Sequence, residues 1–277
     1  MSSQLLDESA GFNRCRRCRH GYMTYNINDL HVGRALDLYG DWAKAESDLF
    51  ANILRPGVVV LDVGANIGVH TVYFSKAVGP TGQVVAFEPQ RLVYQTLCAN
   101  LALNSLANVD ALNVGVGAAN GVLSLPRLDY TTGQNFGGVS LGADQSGDEV
   151  SVVTLDSLGL PSVYLIKVDV EGMELEVLRG GAALITASRP ILYVENAEES
   201  RSQALIEYLL SIDYHLYWHF SPFFTADNYL GIAEDVFGGL HDANMLCLPG
   251  SVDCGLDPVR GVQDTAAQAF ARRFASV

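Results

Sequence analysis

The 277-residue chain carries 31 acidic against 17 basic side chains, a formal net charge of −14, and 49% of it is hydrophobic. Affinity for nucleic acid comes largely from lysine and arginine displacing counterions, so this balance argues against a nucleic-acid partner. No stretch approaches the roughly 18 apolar residues that cross a bilayer, the start lacks a signal peptide's apolar centre, and five cysteines make an odd set, so a cytoplasmic protein with reduced thiols and no membrane partner is expected.

Residues 1 to 20 are polar and read as irregular. Arg14, Arg16, Arg17 and Arg19 read as a solvated basic loop. The interleaved Cys15, Cys18 and His20 have a spacing zinc uses, but a closed site needs four ligands and only the distant Cys254 is left to complete it, so no metal is expected there. Gly21 to Leu38 suggests two short strands. Asp41 to Leu54 reads as a helix with Trp42, Ala45, Leu49 and Ile53 on one face, stopped by Arg55, Pro56 and Gly57. This unit, residues 1–50, is too small for a core of its own and reads as a cap over the ligand edge of the domain at 51–250, with 251–277 as a tail. Tyr22, Tyr25, Tyr39 and Trp42 are its candidate pocket aromatics, although simple packing also explains them.

Val58 to Leu61 is a continuous aliphatic run, the pattern of a parallel strand covered on both faces, and it ends at Asp62. Gly64, Ala65, Asn66 and Gly68 then form a tight turn into a helix that starts near Ile67. The dinucleotide fingerprint needs a third glycine at Val69 or Thr71, so pyrophosphate binding is disfavoured. Val84 to Phe87 is a second buried strand, closing on Glu88 and Pro89, followed by a helix from Gln90 to Asn104. An acid at each of the two strand ends suits a ligand with an ammonium group for Asp62 and ribose hydroxyls for Glu88. A third strand, Val109 to Val114, would set Asn113 and Val114 beside an adenine.

Val122 to Pro126 and Val150 to Thr154 read as strands around a glycine-rich loop in which Gln134, Asn135 and Phe136 are a candidate lid or a plain surface loop. In the strand Val163 to Asp169, alternation puts Lys167 and Asp169 on one face, where a buried lysine needs a charged partner or water. Glu171 and Gly172 turn into a helix ended by Gly180 and Gly181, and Ile191 to Val194 is a further strand ending at Glu195 and Asn196. Four parallel strands thus end in Asp62, Glu88, Asp169 and Glu195, which a doubly wound α/β sheet would line up along one edge. A helix from Ser200 to Ser211, an aromatic segment from Tyr214 to Phe224 and a closing strand from Met245 to Leu248 complete the order. The aromatic segment is a candidate substrate wall, with His219 a candidate base because histidine titrates near neutrality.

LDVGANIGVHT at 61–71, AFEPQ at 86–90, LIKVDVEGMELEVLRGG at 165–181 and RPILYVEN at 189–196 together resemble the FkbM-type family of class I methyltransferases. The resemblance implies a mostly parallel, Rossmann-like sheet of seven strands with an antiparallel last strand. It also implies S-adenosylmethionine (SAM) as methyl donor and O-methylation of a hydroxyl on a natural product, sugar or other small molecule. Gly64, Ala65, Asn66, Gly68, Glu88, Pro89, Asn113 and Val114, with Asp62 and Asp169, are the expected cofactor residues. A hydroxyl acceptor must lose a proton, which Asp169 is expected to take with help from Glu171 or His219 while Lys167 orients it. In an alternative version Asp169, Glu171 or Glu195 holds a divalent metal that acidifies the hydroxyl. A noncatalytic SAM- or nucleoside-binding module, methylation of a carboxyl or nitrogen, and an NAD-dependent oxidoreductase are the rival readings. The acceptor and the oligomeric state are not legible.

Overall fold

The structure, a computed structural model, describes residues 11–142 and 146–250. The chain begins with an antiparallel hairpin, β1 (Asn13–Cys18) and β2 (Gly21–Asn26), followed by α1 (Val32–Tyr39) and α2 (Lys44–Ile53). Strand and helix then alternate through β3 (Val59–Val63), α3 (Val69–Val78), β4 (Gln83–Phe87), α4 (Arg91–Leu103) and β5 (Val109–Leu112). A side sheet made of β6 (Gly115–Val116), β7 (Gly121–Leu125) and β8 (Asp148–Val153) interrupts the alternation. It resumes with β9 (Leu165–Val168), α5 (Glu174–Gly180), α6 (Ala182–Ser188), β10 (Ile191–Glu195) and α7 (Glu199–Ser211), and ends in β11 (Tyr214–Pro222) and β12 (His241–Pro249).

The main sheet has seven strands in the order β5-β4-β3-β9-β10-β12-β11, and β12 runs antiparallel to both of its neighbours. This is the expected doubly wound, Rossmann-like sheet with its antiparallel last strand. The crossover from β3 runs to β4 on one side and the crossover from β9 to β10 on the other, and the carboxyl ends of the adjacent β3 and β9 form the crevice where such sheets bind ligands. Side-chain alternation feeds two cores. Val60 joins Phe50, Phe74 and Tyr193 on one face, while Leu61 and Val63 join Val177, Ile206 and Trp218 on the other.

Several local expectations change. The segment read as irregular contains β1, whose buried Cys15 and Cys18 make it a packed strand despite its arginines. Cys15 and Cys18 stand three residues apart on that strand, which directs their side chains to opposite faces, so they do not form one metal site. Gly21 to Leu38 holds one strand and a helix instead of two strands, and the third strand splits into β5 and β6, which belong to different sheets. On α2 the deepest residue is Phe50, with Leu49 and Ile53 at the margin of that core. Tyr25 and Tyr39 are buried packing residues. Cys254 and the tail lie outside the described residues.

Asn100 on α4 and Asn104 at its C-cap, one helical turn apart, attach the hairpin. Asn104 Oδ1 accepts from the Tyr22 amide at 3.0 Å while its Nδ2 donates to the Tyr22 carbonyl at 2.7 Å. Asn100, fully buried, accepts from the Thr24 amide at 2.6 Å and donates to the carbonyls of Thr24 at 3.0 Å and Ile67 at 2.8 Å. The side-chain amides thereby act as a strand edge for β2, and Asn100 ties it to the glycine turn. Asn100→Ala leaves those three backbone groups without partners and is expected to lower stability by about 2 kcal/mol in urea unfolding. The exposed Asn52→Ala serves as control, and equal midpoints for the two variants would show that the hairpin is held elsewhere.

Candidate active site

The glycine turn after β3 is shaped by a close crossing. Gly64 has φ +79°, and a Cβ there would lie 1.7 Å from the Asp169 carbonyl oxygen, so only glycine lets the ends of β3 and β9 meet. The amides of Gly64 and Ala65 donate to the Phe87 carbonyl at 3.0 and 2.9 Å, which fixes the turn against β4. Over these strand ends opens a cleft of about 230 Å³.

Glu88 is held at the wall of this cleft by the chain itself: its Oε2 accepts from the Asn66 amide at 2.9 Å and its Oε1 from the Gln90 amide at 2.8 Å. Burial pushes its carboxyl up to about 7 despite those two donors. Each oxygen retains a second lone pair for a ligand hydroxyl. Asn113 does not line the cleft. Its Nδ2 donates to the carbonyls of Glu88 and Pro89 at 2.8 and 3.0 Å, so it braces the strand end from behind, while Val114 lies in the cleft wall.

Behind Gly64, Asp62 is completely buried, accepts from Thr71 Oγ1 at 2.6 Å, and leaves Oδ1 without a hydrogen bond. Lys167 Nζ stands 3.7 Å from that oxygen and 3.0 Å from Asp169 Oδ2. Burial alone would push the Lys167 ammonium down, but Asp169, Asp62 and Glu46 together outweigh it and hold it above the ordinary lysine range. The lysine and carboxylate expected to share a face therefore do so, and they are ion-paired.

At the open end, Asp169, Glu171 and Glu195 bring carboxylate oxygens within 4.8 Å of one another, the only such group among the described residues. Burial, then Asp169 and Glu174, push Glu171 up to about 8. Burial and the neighbouring carboxylates hold Glu195 and Asp242 well above the usual carboxylate range. Glu46 from α2 and His70 from α3 face each other here, Oε2 to Nε2 at 3.2 Å, and Asn244 Nδ2 donates to the other Glu46 oxygen at 3.1 Å. His31, Trp42 and Phe223 also contribute to the wall.

The glycine-rich loop supplies part of the enclosure. Asn135, Gly137, Val139 and Leu141 line the cleft, Gln90 Nε2 donates to the Phe136 carbonyl at 2.6 Å, and Ser140 Oγ donates to the Glu171 carbonyl. Phe136 itself is buried, with its ring tilted against Tyr130 at 4.8 Å.

Of the residues singled out from sequence, Gly64, Ala65, Asn66, Glu88, Pro89, Val114, Lys167, Asp169 and Glu171 line this one cleft. Asp62 and Gly68 stand behind it: Gly68 turns the backbone at φ +88° against Leu97. His219 is a correction. Its Nδ1 is 2.8 Å from the Tyr193 hydroxyl, and the ring is not part of the cleft wall. Glu46, His70, Asp242 and Asn244 were not anticipated. For Glu46 a signal existed, since it shares a helical face with Phe50 and Ile53 where an acid is out of place.

The description "Methyltransferase FkbM domain" matches residues 62–216, more than half of the chain. The chain belongs to the FkbM methyltransferase family. Relatives include methyltransferase sdnD of Sordaria araneosa, 33% identical over 44% of this chain and 59% of its own length. Methyltransferase 1 of Beauveria bassiana is 32% identical over 44% of this chain and 57% of its own length. The hexuronic acid methyltransferase AglP of Haloferax volcanii is 32% identical over 50% and 56%. The chain thus spans less than three fifths of the curated relatives it matches. Among solved structures, methyltransferase FkbM of Methylobacillus flagellatus aligns with a TM-score of 0.46 at 19% identity, covering 76% of this chain and 52% of that one. Among the described residues no helix is long and apolar enough to cross a membrane.

In this FkbM protein the raised Glu88 has a consequence for folding. Its folded-state value of about 7 exceeds the ordinary 4.5, so the native state favours the protonated acid and loses stability as pH rises through that interval. Glu88→Gln removes this dependence. The variant's urea midpoint relative to wild type is expected to climb between pH 5 and pH 8; a constant difference across that range would refute the burial account.

Proposed function

We propose that the protein is a SAM-dependent methyltransferase that transfers the methyl group to a hydroxyl of a small-molecule acceptor. The observation that carries this reading is the charge of the cleft. Six carboxyl groups line it (Glu46, Glu88, Asp169, Glu171, Glu195 and Asp242) with one lysine, which is engaged by Asp169 and Asp62. Burial and mutual repulsion raise Glu88, Glu171, Glu195 and Asp242, so the wall favours a sulfonium cation beside which these acids ionise and disfavours a dinucleotide's pyrophosphate. Family membership supports the same donor.

The residues fit SAM. Glu88 offers two lone pairs to the ribose hydroxyls, Gly64 leaves the space that a Cβ would fill, and Oδ1 of buried Asp62, which accepts no hydrogen bond and faces Lys167 at 3.7 Å, would serve behind that turn as the acceptor for an ammonium group reached through water. Val114 and Pro89 also line the cleft, where they would flank an adenine. When bound, SAM supplies an electrophilic methyl on a positive sulfur, so the chain's task is to align the acceptor and exclude water. Asp169, held by Lys167 at 3.0 Å, is already engaged and positions the acceptor hydroxyl, with Glu171 beside it. The loop carrying Asn135 to Leu141 lines the same cleft and would help exclude water from it.

The test is transfer of labelled methyl from SAM to a panel of sugars, hexuronic acids and phenols, with carboxylic acids and amines beside them. Label in ethers is expected, and Asp169→Asn should lose roughly 100-fold or more in turnover while retaining SAM affinity. Label only in esters or methylamines would replace the acceptor class, and SAM binding without transfer to any acceptor would favour a binding module.

The proximity of Asp169, Glu171 and Glu195 favours one second reading, a divalent cation bridging them that acidifies the hydroxyl. Turnover abolished by a chelator and restored by magnesium would support it, and turnover indifferent to the chelator would remove it.

A further inference from the structure

Methyl transfer to a hydroxyl needs a proton acceptor, and the cleft contains a histidine held for that work. His70 sits in the first turn of α3, directly after the glycine turn, and is 7% exposed while lining the cleft. Its ring is fixed on two sides, edge-on to Phe50 at 5.7 Å and stacked on Phe74 at 5.8 Å. Nε2 lies 3.2 Å from Glu46 Oε2, within ion-pair distance though no hydrogen bond joins them in this geometry. Glu46 is in turn fixed by Asn244 from β12 through its other oxygen at 3.1 Å. Three elements far apart in sequence thus assemble an amide, a carboxylate and an imidazole in series, 4–7% exposed, on the wall of one cleft.

We propose that His70 is the general base of the transfer and that Glu46, positioned by Asn244, holds the ring with its proton on Nε2 and stabilises the imidazolium. This deepens, and rests on, the hydroxyl-methylation reading above. The acceptor's O–H proton passes to Nδ1 as the oxygen bonds to the methyl carbon. The carbon–sulfur bond breaks with its electron pair remaining on sulfur, giving S-adenosylhomocysteine and a methyl ether, and the imidazolium later returns its proton to water. The sulfonium's positive charge ends on the imidazolium, where Glu46 faces it. A buried histidine with an acid at one nitrogen is the arrangement that fixes the tautomer and leaves the second nitrogen basic. Asp169 and Lys167 then have the separate duty of aligning the hydroxyl. His20 from the hairpin turn interacts electrostatically with the ring, and Glu88, Lys167, Asp169, Glu171, Glu195 and Asp242 are the further titratable groups that share the cleft with it.

Two measurements on the full chain test this. In ¹⁵N-histidine-labelled protein, with His70→Gln used to assign the resonances, the neutral ring is expected to carry its proton on Nε2, and Glu46→Gln should shift the tautomer balance. A wild-type proton on Nδ1, or no response to Glu46→Gln, overturns the pairing. In turnover, His70→Gln should lower kcat by about 10²- to 10⁴-fold with affinity for S-adenosylhomocysteine retained, and the fall of kcat at acid pH should disappear. Its loss should be much smaller with a nitrophenol acceptor, whose hydroxyl ionises unaided. A variant that keeps its kcat, or loses equally on both acceptors, overturns the base alone; a wild type that methylates no hydroxyl overturns the methyl-transfer reading and the base with it.

Discussion

The site depends on a buried ammonium. Lys167, 3% exposed, lies between Asp62 at the end of β3 and Asp169 at the end of β9, the two strands at which the sheet's crossovers diverge. An unpaired lysine at that depth would be neutral or would unfold the strand, and Asp62 without it would be a buried uncompensated charge. Pairing settles both costs and fixes the relative position of the two strand ends. Because Gly64 has no Cβ, the backbone can pass over Asp169 at the same point. The floor of the cleft is thus rigid before any ligand enters, as preorganised catalysis requires.

Above that floor the chain places more negative charge than it neutralises. Glu171, Glu195 and Asp242 are driven toward their protonated forms by burial and by one another, a state that a sulfonium cation would relieve. The N-terminal elements are part of this wall. α2 brings Glu46 against His70, and the hairpin is clamped to α4 by Asn100 and Asn104, so the elements before β3 are joined to the sheet at several buried points. The stability of the hairpin and the geometry of the glycine turn meet at Asn100, which bonds Thr24 and Ile67 at once.

The sheet was legible because parallel strands buried on both faces are written as short aliphatic runs, each ending where polarity returns: Asp62, Glu88, Asp169 and Glu195 mark those ends. The sharing of a face by Lys167 and Asp169 followed from strand periodicity alone. What escaped was made by contacts distant in sequence. Asn244 meets Glu46 across 198 residues, and no local pattern announces such a pair. His219 was attractive for its chemistry, yet β11 turns it toward the Tyr193 hydroxyl. β1 was hidden because NRCRRC lacks apolar alternation: its Arg14 and Arg16 pair with Asp37, and its Arg17 donates to the Tyr229 hydroxyl, all beyond the hairpin.

The central claim is that this acidic cleft is the seat of an S-adenosyl cofactor. Equilibrium titration of the ligand-free protein with S-adenosylhomocysteine, followed by calorimetry with NAD as the competing candidate and Glu88→Ala as the site variant, tests it most directly. The account predicts micromolar binding of S-adenosylhomocysteine, loss of that binding in a Glu88→Ala protein that remains folded, and no heat with NAD. Binding of NAD, or no binding of S-adenosylhomocysteine by folded protein free of copurified ligand, would contradict it.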